Sequence, residues 1–189
     1  MTPEKPPVPE ARREEAGSSP EASAAAALRF RPAVEKDIPL IRSLAERIWK
    51  TCFPAFLSQE QIDYMLGWMY APEVLRREMG EGILWEIVEI GDRPAGYISC
   101  TVESPDRMKL NKLYLLPELH GRGIGLRMID HVRASARSRG IRQIYLQVNR
   151  ANRPALRAYQ RAGFRIVRTA VTDIGGGFVM DDHFMALDV

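Results

Sequence analysis

The sequence predicts a three-layer α/β domain on a mixed, mostly antiparallel central sheet, with a β-α-β unit at its middle. Three observations lead there. Apolar residues recur at helical spacing in some segments and in strand-like runs in others, in the order strand, two or three helices, three strands, helix, strand, helix, two strands. The central strand–helix–strand run, Leu110–Val148, calls for parallel neighbours joined by a crossover, while the patterns on either side read as antiparallel hairpins. Glycine or proline punctuates most of the junctions.

Leu28–Ala33 is the first strand. Ile38, Ile41, Leu44, Ala45, Ile48 and Trp49 then repeat with the period of a helix, closed by Pro54. Ser58, followed by Glu60 and Gln61, opens a second helix whose stripe is Ile62, Met65, Leu66, Met69 and Tyr70, ending near Pro72. A shorter helical piece covers Glu73–Met79. The period then changes: Ile83–Ile90 and Ala95–Val102 are strands joined by the turn Gly91-Asp92-Arg93-Pro94. Leu110–Leu116 is almost continuously apolar, as a strand covered on both faces is, and Pro117 ends it. Gly123–Arg139 is helical, with Met128, Ile129, Val132 and Ala136 on one face and a stop at Gly140. Ile141–Val148 alternates as a strand. Ala155, Ala158, Tyr159 and Ala162 mark a short helix between Pro154 and Gly163. Arg165–Ile174 and Phe178–Leu187 are the last strands, flanking Gly175-Gly176-Gly177 as a hairpin loop.

With 189 residues the chain suits one domain plus a tail. Residues 1–27 hold Pro, Glu, Ala, Arg and Ser without an apolar stretch, so they are expected to be a disordered tail, leaving residues 28–189 as the domain. No apolar run approaches the ~20 residues that cross a bilayer. Cys52 and Cys100 are too few for a disulfide framework and read as buried thiols in a reducing cytoplasm. His120, His131 and His183 lack partners at zinc-ligand spacing, so no metal is expected.

The formal net charge of +3 is unevenly spread. Between Gly121 and Arg168 stand twelve arginines and one acid, Asp130, a net +11 that leaves −8 for the rest of the chain. So basic a segment suits a polyanionic ligand, and so acidic a remainder suits a cation. Within the basic segment, His120-Gly121-Arg122-Gly123-Ile124-Gly125 lies between a strand and a helix. Glycines there let successive N–H groups converge on one phosphate, the helix N-terminus adds its positive end, and Arg122 and Arg127 add charge. The spacing is neither that of the dinucleotide fingerprint nor that of the nucleoside-triphosphate loop.

Two stretches carry a family resemblance. Leu113-Tyr114-Leu115-Leu116-Pro117-Glu118 followed by His120–Gly125 resembles the acyl-CoA-binding motif of the GNAT superfamily of N-acetyltransferases, Gln/Arg-x-x-Gly-x-Gly/Ala, with His120 departing at its first position. Val148-Asn149-Arg150-Ala151-Asn152-Arg153-Pro154-Ala155, running on to Tyr159 and Gly163-Phe164, is similar to the family's Asn-x-x-Ala…Tyr…Gly-Phe segment. The whole pattern, with Asp173–Asp182, looks like the bacterial branch that includes spermidine/spermine acetyltransferases. The resemblance implies a GNAT-like fold whose central β-α-β unit binds acetyl-CoA as cosubstrate. The backbone of Leu113, Tyr114 and Leu115 would bond the pantetheine arm in a wedge between splayed strands. His120 and the amides of Gly121, Arg122, Gly123, Ile124, Gly125 and Leu126 would hold the pyrophosphate. Asn152 would hold the cofactor through its side chain, and Tyr159 would stand near the sulfur.

Acetyl transfer from a thioester to an amine needs a neutral amine, a stabilised oxyanion and a protonated leaving thiolate. Tyr159 suits the last role, although it also sits on an apolar helical stripe where it would simply pack. A backbone N–H beside the splayed strand, that of Leu115, suits the oxyanion. Many family members carry a Glu on the strand before the turn; Lys109-Leu110-Asn111-Lys112-Leu113 has none, so Glu103, Asp173, Asp181 and Asp182 stand as candidate bases. Tyr64 falls on a helix that forms a wall of the acceptor site in the family. The expected partners are a small amine such as a polyamine, or alternatively a protein N-terminus or lysine, and at most a second copy of the chain. A non-catalytic acyl-CoA-binding domain is the rival of another class. A nucleic-acid-binding module ranks below it, because the arginines are not interleaved with stacking aromatics.

Overall fold

The structure is a computed structural model that describes residues 27–189; the tail expected over residues 1–27 lies, but for Ala27, outside them. The chain runs β1 (Leu28–Pro32), α1 (Ile38–Cys52), α2 (Gln59–Met69), α3 (Pro72–Gly80), β2 (Leu84–Ile90), β3 (Arg93–Ser104), β4 (Arg107–Leu115), α4 (Ile124–Ser138), β5 (Gln143–Asn149), α5 (Arg153–Arg161), β6 (Arg165–Gly175) and β7 (Phe178–Asp188). This is the expected order, with ends shifted by a residue or two except at β4, which starts earlier. There Met108 and Leu110 are buried between Arg107, Lys109 and Asn111, an alternation that a search for continuous apolar residues passes over.

The local chemistry accounts for the elements. α1 buries the stripe Ile38, Ile41, Leu44, Ala45, Ile48 and Trp49. The hydroxyl of Ser58 accepts a bond from Gln61 N–H at 3.2 Å and so caps α2, the usual role of serine at that position. Asn152 caps α5 in the same way through Ala155 N–H, also at 3.2 Å.

The sheet order is β1-β2-β3-β4-β5-β7-β6. Every neighbouring pair is antiparallel except β4 and β5, which are parallel and joined through α4. One apolar cluster packs α4 and α5 against one face, around Met128, Ile129, Val132, Ile144, Leu146 and Met185. A second packs α1, α2 and α3 against the other, around Trp49, Ile62, Leu75, Trp85 and Tyr97. The three layers are therefore helices, sheet, helices.

Two irregularities shape β4. The register against β3 shifts so that Ser99 faces Lys112 and Cys100 faces Leu110, leaving Asn111 as the extra residue of a bulge. Lys112 is only 6% exposed: its ammonium lies 3.5 Å from Glu78 and over the rings of Trp85 and Tyr70. Burial lowers its pKa. An apolar strand thus carries one enclosed cation. Further along, any Cβ at Gly96 would collide with the carbonyl oxygen of Tyr114, so glycine alone lets β3 approach β4 there.

Candidate active site

β4 and β5 pair only from Arg107 opposite Gln143 to Lys109 opposite Tyr145. Beyond these three pairs the strands part, and the wedge between them opens toward Leu115 on one side and Asn149 on the other. Strand alternation decides which backbone groups line it. Leu116 N–H donates to Ala95 O at 2.8 Å, and Tyr114, two residues earlier, faces Tyr97. The backbone of Leu113 and Leu115 therefore points away from β3, into the wedge. This removes Tyr114 from the expected backbone set, because its peptide groups are directed at β3. Its side chain instead joins the α1–α3 cluster.

The turn after β4 is built as the glycines require. Gly121 and Gly123 take φ of +77° and +75°, open only to glycine without strain, and a Cβ at residues 121, 123 or 125 would meet nothing. Gly123 is the N-cap of α4 and offers no side chain, so the first N–H groups of that helix are left for a ligand. Arg122 and Arg127 are exposed and enter no ion pair among the described residues, which leaves their charge free. His120 ties the turn to the strand: its Nε2–H donates to Leu115 O at 2.9 Å. That fixes the tautomer and occupies one of the two wedge-facing carbonyls, and among the described residues no partner strand reaches Leu113 O or either amide.

On the β5 side, Asn149 Oδ1 accepts Ala151 N–H at 2.9 Å and Asn152 Oδ1 accepts Ala155 N–H. The carbonyl of Asn152 thus serves the helix, and its Nδ2 is the part left for a ligand. Tyr159 lies on α5, packed edge-on to Phe164 at 5.5 Å. Its hydroxyl makes no hydrogen bond among the described residues. Burial first, then the Cys100 thiol, hold the phenol well above its ordinary range, so it carries its proton at neutral pH. Packing and a free hydroxyl coexist in this residue.

On the face covered by α1 to α3, where the resemblance implies an acceptor wall, contacts join distant side chains. Tyr64 Oη donates to Ile174 O at 2.7 Å, and its ring lies 5.2 Å from that of Phe178. Gln61 Nε2 donates to Val179 O at 2.7 Å. These bonds pin α2 to the β6–β7 hairpin, and the hydroxyl of Tyr64 is engaged in holding them together. Beneath it, Tyr97 Oη donates to Tyr70 Oη at 2.8 Å. The phenol of Tyr114 is raised by burial, by Tyr70 and Tyr159, and by the carboxylate of Asp182, which places it among these groups.

Of the four candidate bases, three are occupied. Glu103 accepts from Tyr145 Oη at 2.5 Å, Asp173 from Gly175 N–H at 2.7 Å, and Asp181 from Arg150 at 3.2 Å. Asp182 is buried, and its Oδ2 has no hydrogen-bond partner among the described residues. Among the described residues no group of three His, Cys, Asp or Glu side chains is placed to hold a metal ion, and no helix is long and apolar enough to cross a membrane. Two open depressions of about 460 and 400 Å³ lie along α1, lined by residues such as Arg42 and Pro39, none of them from the wedge.

A family model described as the acetyltransferase (GNAT) family matches residues 42–164. An uncharacterized N-acetyltransferase of Mycobacterium bovis (strain ATCC BAA-935 / AF2122/97) is 37% identical over 84 residues, 44% of this chain and 53% of that protein. The chain thus spans about half the length of the mycobacterial relatives it matches. A spermidine N(1)-acetyltransferase of Thermoplasma acidophilum is 23% identical over 79% of this chain and 92% of its own length. The crystal structure of the PaiA N-acetyltransferase from Thermoplasma acidophilum, in complex with coenzyme A, superposes with a TM-score of 0.74 at 22% identity, over 86% of this chain and 99% of that one. At that identity the likeness is one of fold.

Proposed function

We propose that this chain, which belongs to the acetyltransferase (GNAT) family, moves the acetyl group of acetyl-CoA to a primary amine, with a small polyamine as the first choice of acceptor. The observation that carries the reading is the wedge: two parallel strands that part after three pairs, with the unbonded amides of Leu113 and Leu115 leading straight into a glycine turn at a helix N-terminus.

The residues fit the donor. The amides from Gly121 to Leu126, with Arg122 and Arg127 beside them, suit a pyrophosphate. The free edge of β4 suits the amide groups of a pantetheine arm, which would add to it as a further strand does. Asn152 Nδ2 is available as a donor at the opposite wall. The Leu115 N–H, fixed by its strand and by the His120 bond to the same residue's carbonyl, is oriented to polarise a thioester carbonyl without reorganising. Tyr159 holds the proton that a departing thiolate needs.

For the acceptor, the support is the spermidine N(1)-acetyltransferase among the relatives and the acidic balance outside the basic segment. The test is acetyl-CoA consumption across a panel of polyamines, other small amines and peptides. Turnover with spermidine is expected. Acetylation of peptides alone would replace the acceptor class, and CoA binding with no turnover on any amine would favour a binding domain.

A further inference from the structure

Asp182 is a carboxylate that the fold itself does not use. It lies on β7 opposite Asn149, the last residue of β5, and opposite Ala170 of β6, and is 3% exposed. Met180, two residues earlier on the same face of the strand, packs against the α1–α3 cluster, whereas Met185 and Leu187 belong to the other cluster. Asp182 therefore looks toward the acceptor side of the wedge. Neither of its oxygens accepts a hydrogen bond from the described residues, and Oδ2 is cut off from solvent. Nearly all buried polar groups find partners, so one that does not calls for a ligand or a reaction to explain it.

Among the described residues its surroundings offer no counter-charge. On its own strand, Asp181 is bound to Arg150 at 3.2 Å, and His183, on the opposite face, meets Thr169 at 2.7 Å. From β6, Arg168 lies over the ring of Phe184, 3.8 Å from its centre. From β5 the facing residue is the neutral Asn149. From β4 the neighbour is the Tyr114 phenol, itself raised in part by the charge of Asp182, and Tyr159 of α5 acts on the same phenol. Burial, with Asp181 adding to it, pushes the Asp182 carboxyl up to about 6. A carboxylate of that strength is ionised at neutral pH and basic enough to take up a proton.

We infer that Asp182 accepts the proton of the acceptor amine during acetyl transfer, from the acceptor side of the wedge. This rests on the transfer reading above. As the amine nitrogen attacks the thioester carbon, the C–N bond forms, the C–S bond breaks, and the nitrogen's proton passes to Asp182. Tyr159 gives its proton to the departing thiolate. Once the products leave, water entering the emptied site takes the proton from Asp182 and returns one to Tyr159, so each turnover balances.

The experiment uses the full chain, acetyl-CoA, and spermidine or whichever amine of the panel the wild type turns over. Asp182→Asn keeps the shape of the side chain and removes the base. It is expected to lower kcat roughly 10²-fold or more, with CoA affinity by calorimetry unchanged. In the wild type, kcat/KM should fall on the acid side with an apparent pKa about 6, and that limb should be missing from the variant's residual activity. Near wild-type kcat in a folded Asp182→Asn, or an unaltered acid limb, overturns the assignment and leaves the transfer reading standing. If the variant does not fold, a wild-type profile flat between pH 5 and 7 overturns it as well. Failure of every amine to turn over would overturn the transfer reading and this assignment together.

Discussion

The two walls of the wedge are made in different ways. On the proposed donor side the groups are backbone: the edge of β4 at Leu113 and Leu115, and a turn whose Gly121 and Gly123 stand at positive φ. On the proposed acceptor side they are side chains from separate elements, with Tyr64 and Gln61 of α2 bonded to the β6–β7 hairpin and Asp182 buried opposite Asn149. A backbone site depends on where the chain can bend, so a few glycines at fixed spacing announce it. A side-chain site depends on which distant residues meet, and no spacing announces that. The donor wall should accordingly be sensitive to backbone changes, and the acceptor wall to loss of single functional groups.

The largest effect is expected on the donor side. Gly123→Asp places a side chain at φ +75° and a negative charge beside the proposed phosphate site. CoA affinity by calorimetry should fall by more than about 10²-fold, while far-UV circular dichroism reports a folded chain. Unchanged affinity would remove the turn from the site.

Tyr159→Phe comes next. The ring remains edge-on to Phe164 and the proton is lost, so kcat should drop roughly 10²-fold with CoA affinity and Tm nearly constant. Near-normal kcat in Tyr159→Phe, with damage confined to Tyr159→Ala, would make this residue a packing element and assign the proton to water.

A smaller effect bears on the acceptor wall. Asp182 has its pKa raised from an ordinary 3.8 to about 6, so the folded state favours the neutral form. The stability tied to that form is fully present below pH 3.8 and is lost as pH rises through about 6. Asp182→Asn does not suffer this loss. It should match the wild type near pH 4 and exceed it at pH 7 to 8 by up to ~3 kcal/mol, seen as a higher Tm. A variant less stable than wild type at pH 8 would mean that the carboxylate holds the fold together. The smallest effect should come from Tyr64→Phe, which deletes one bond to Ile174 O, worth about 1 kcal/mol. It should raise KM for the amine a few-fold and leave CoA affinity unchanged, since the hydroxyl secures only the acceptor wall.

How far the sequence revealed the molecule follows the same division. The order of strands and helices was readable because each element repeats its apolar residues with its own period, as Ile38 to Trp49 and Ile144 to Val148 do. The glycine turn before α4 is readable because tight bends need glycine. The sequence does not separate Tyr114 from Leu113 and Leu115, since which peptides face the wedge depends on the register against β3 and on the bulge at Asn111. Lys112 was hidden within an apolar strand, because its partners Glu78, Trp85 and Tyr70 come from other segments. Asp182 was one of four acids of equal standing until the fold engaged the other three.

If the free edge of β4 and the turn after it bind CoA through backbone amides, nitrogen-15 amide spectra recorded while CoA is added will report it at those amides. The largest shifts are expected at Leu113, Leu115 and Gly121 through Leu126, with the Tyr114 amide, directed at Tyr97, moving less. Shifts centred on α1 to α3, or a turn that stays still while CoA binds elsewhere, would contradict it.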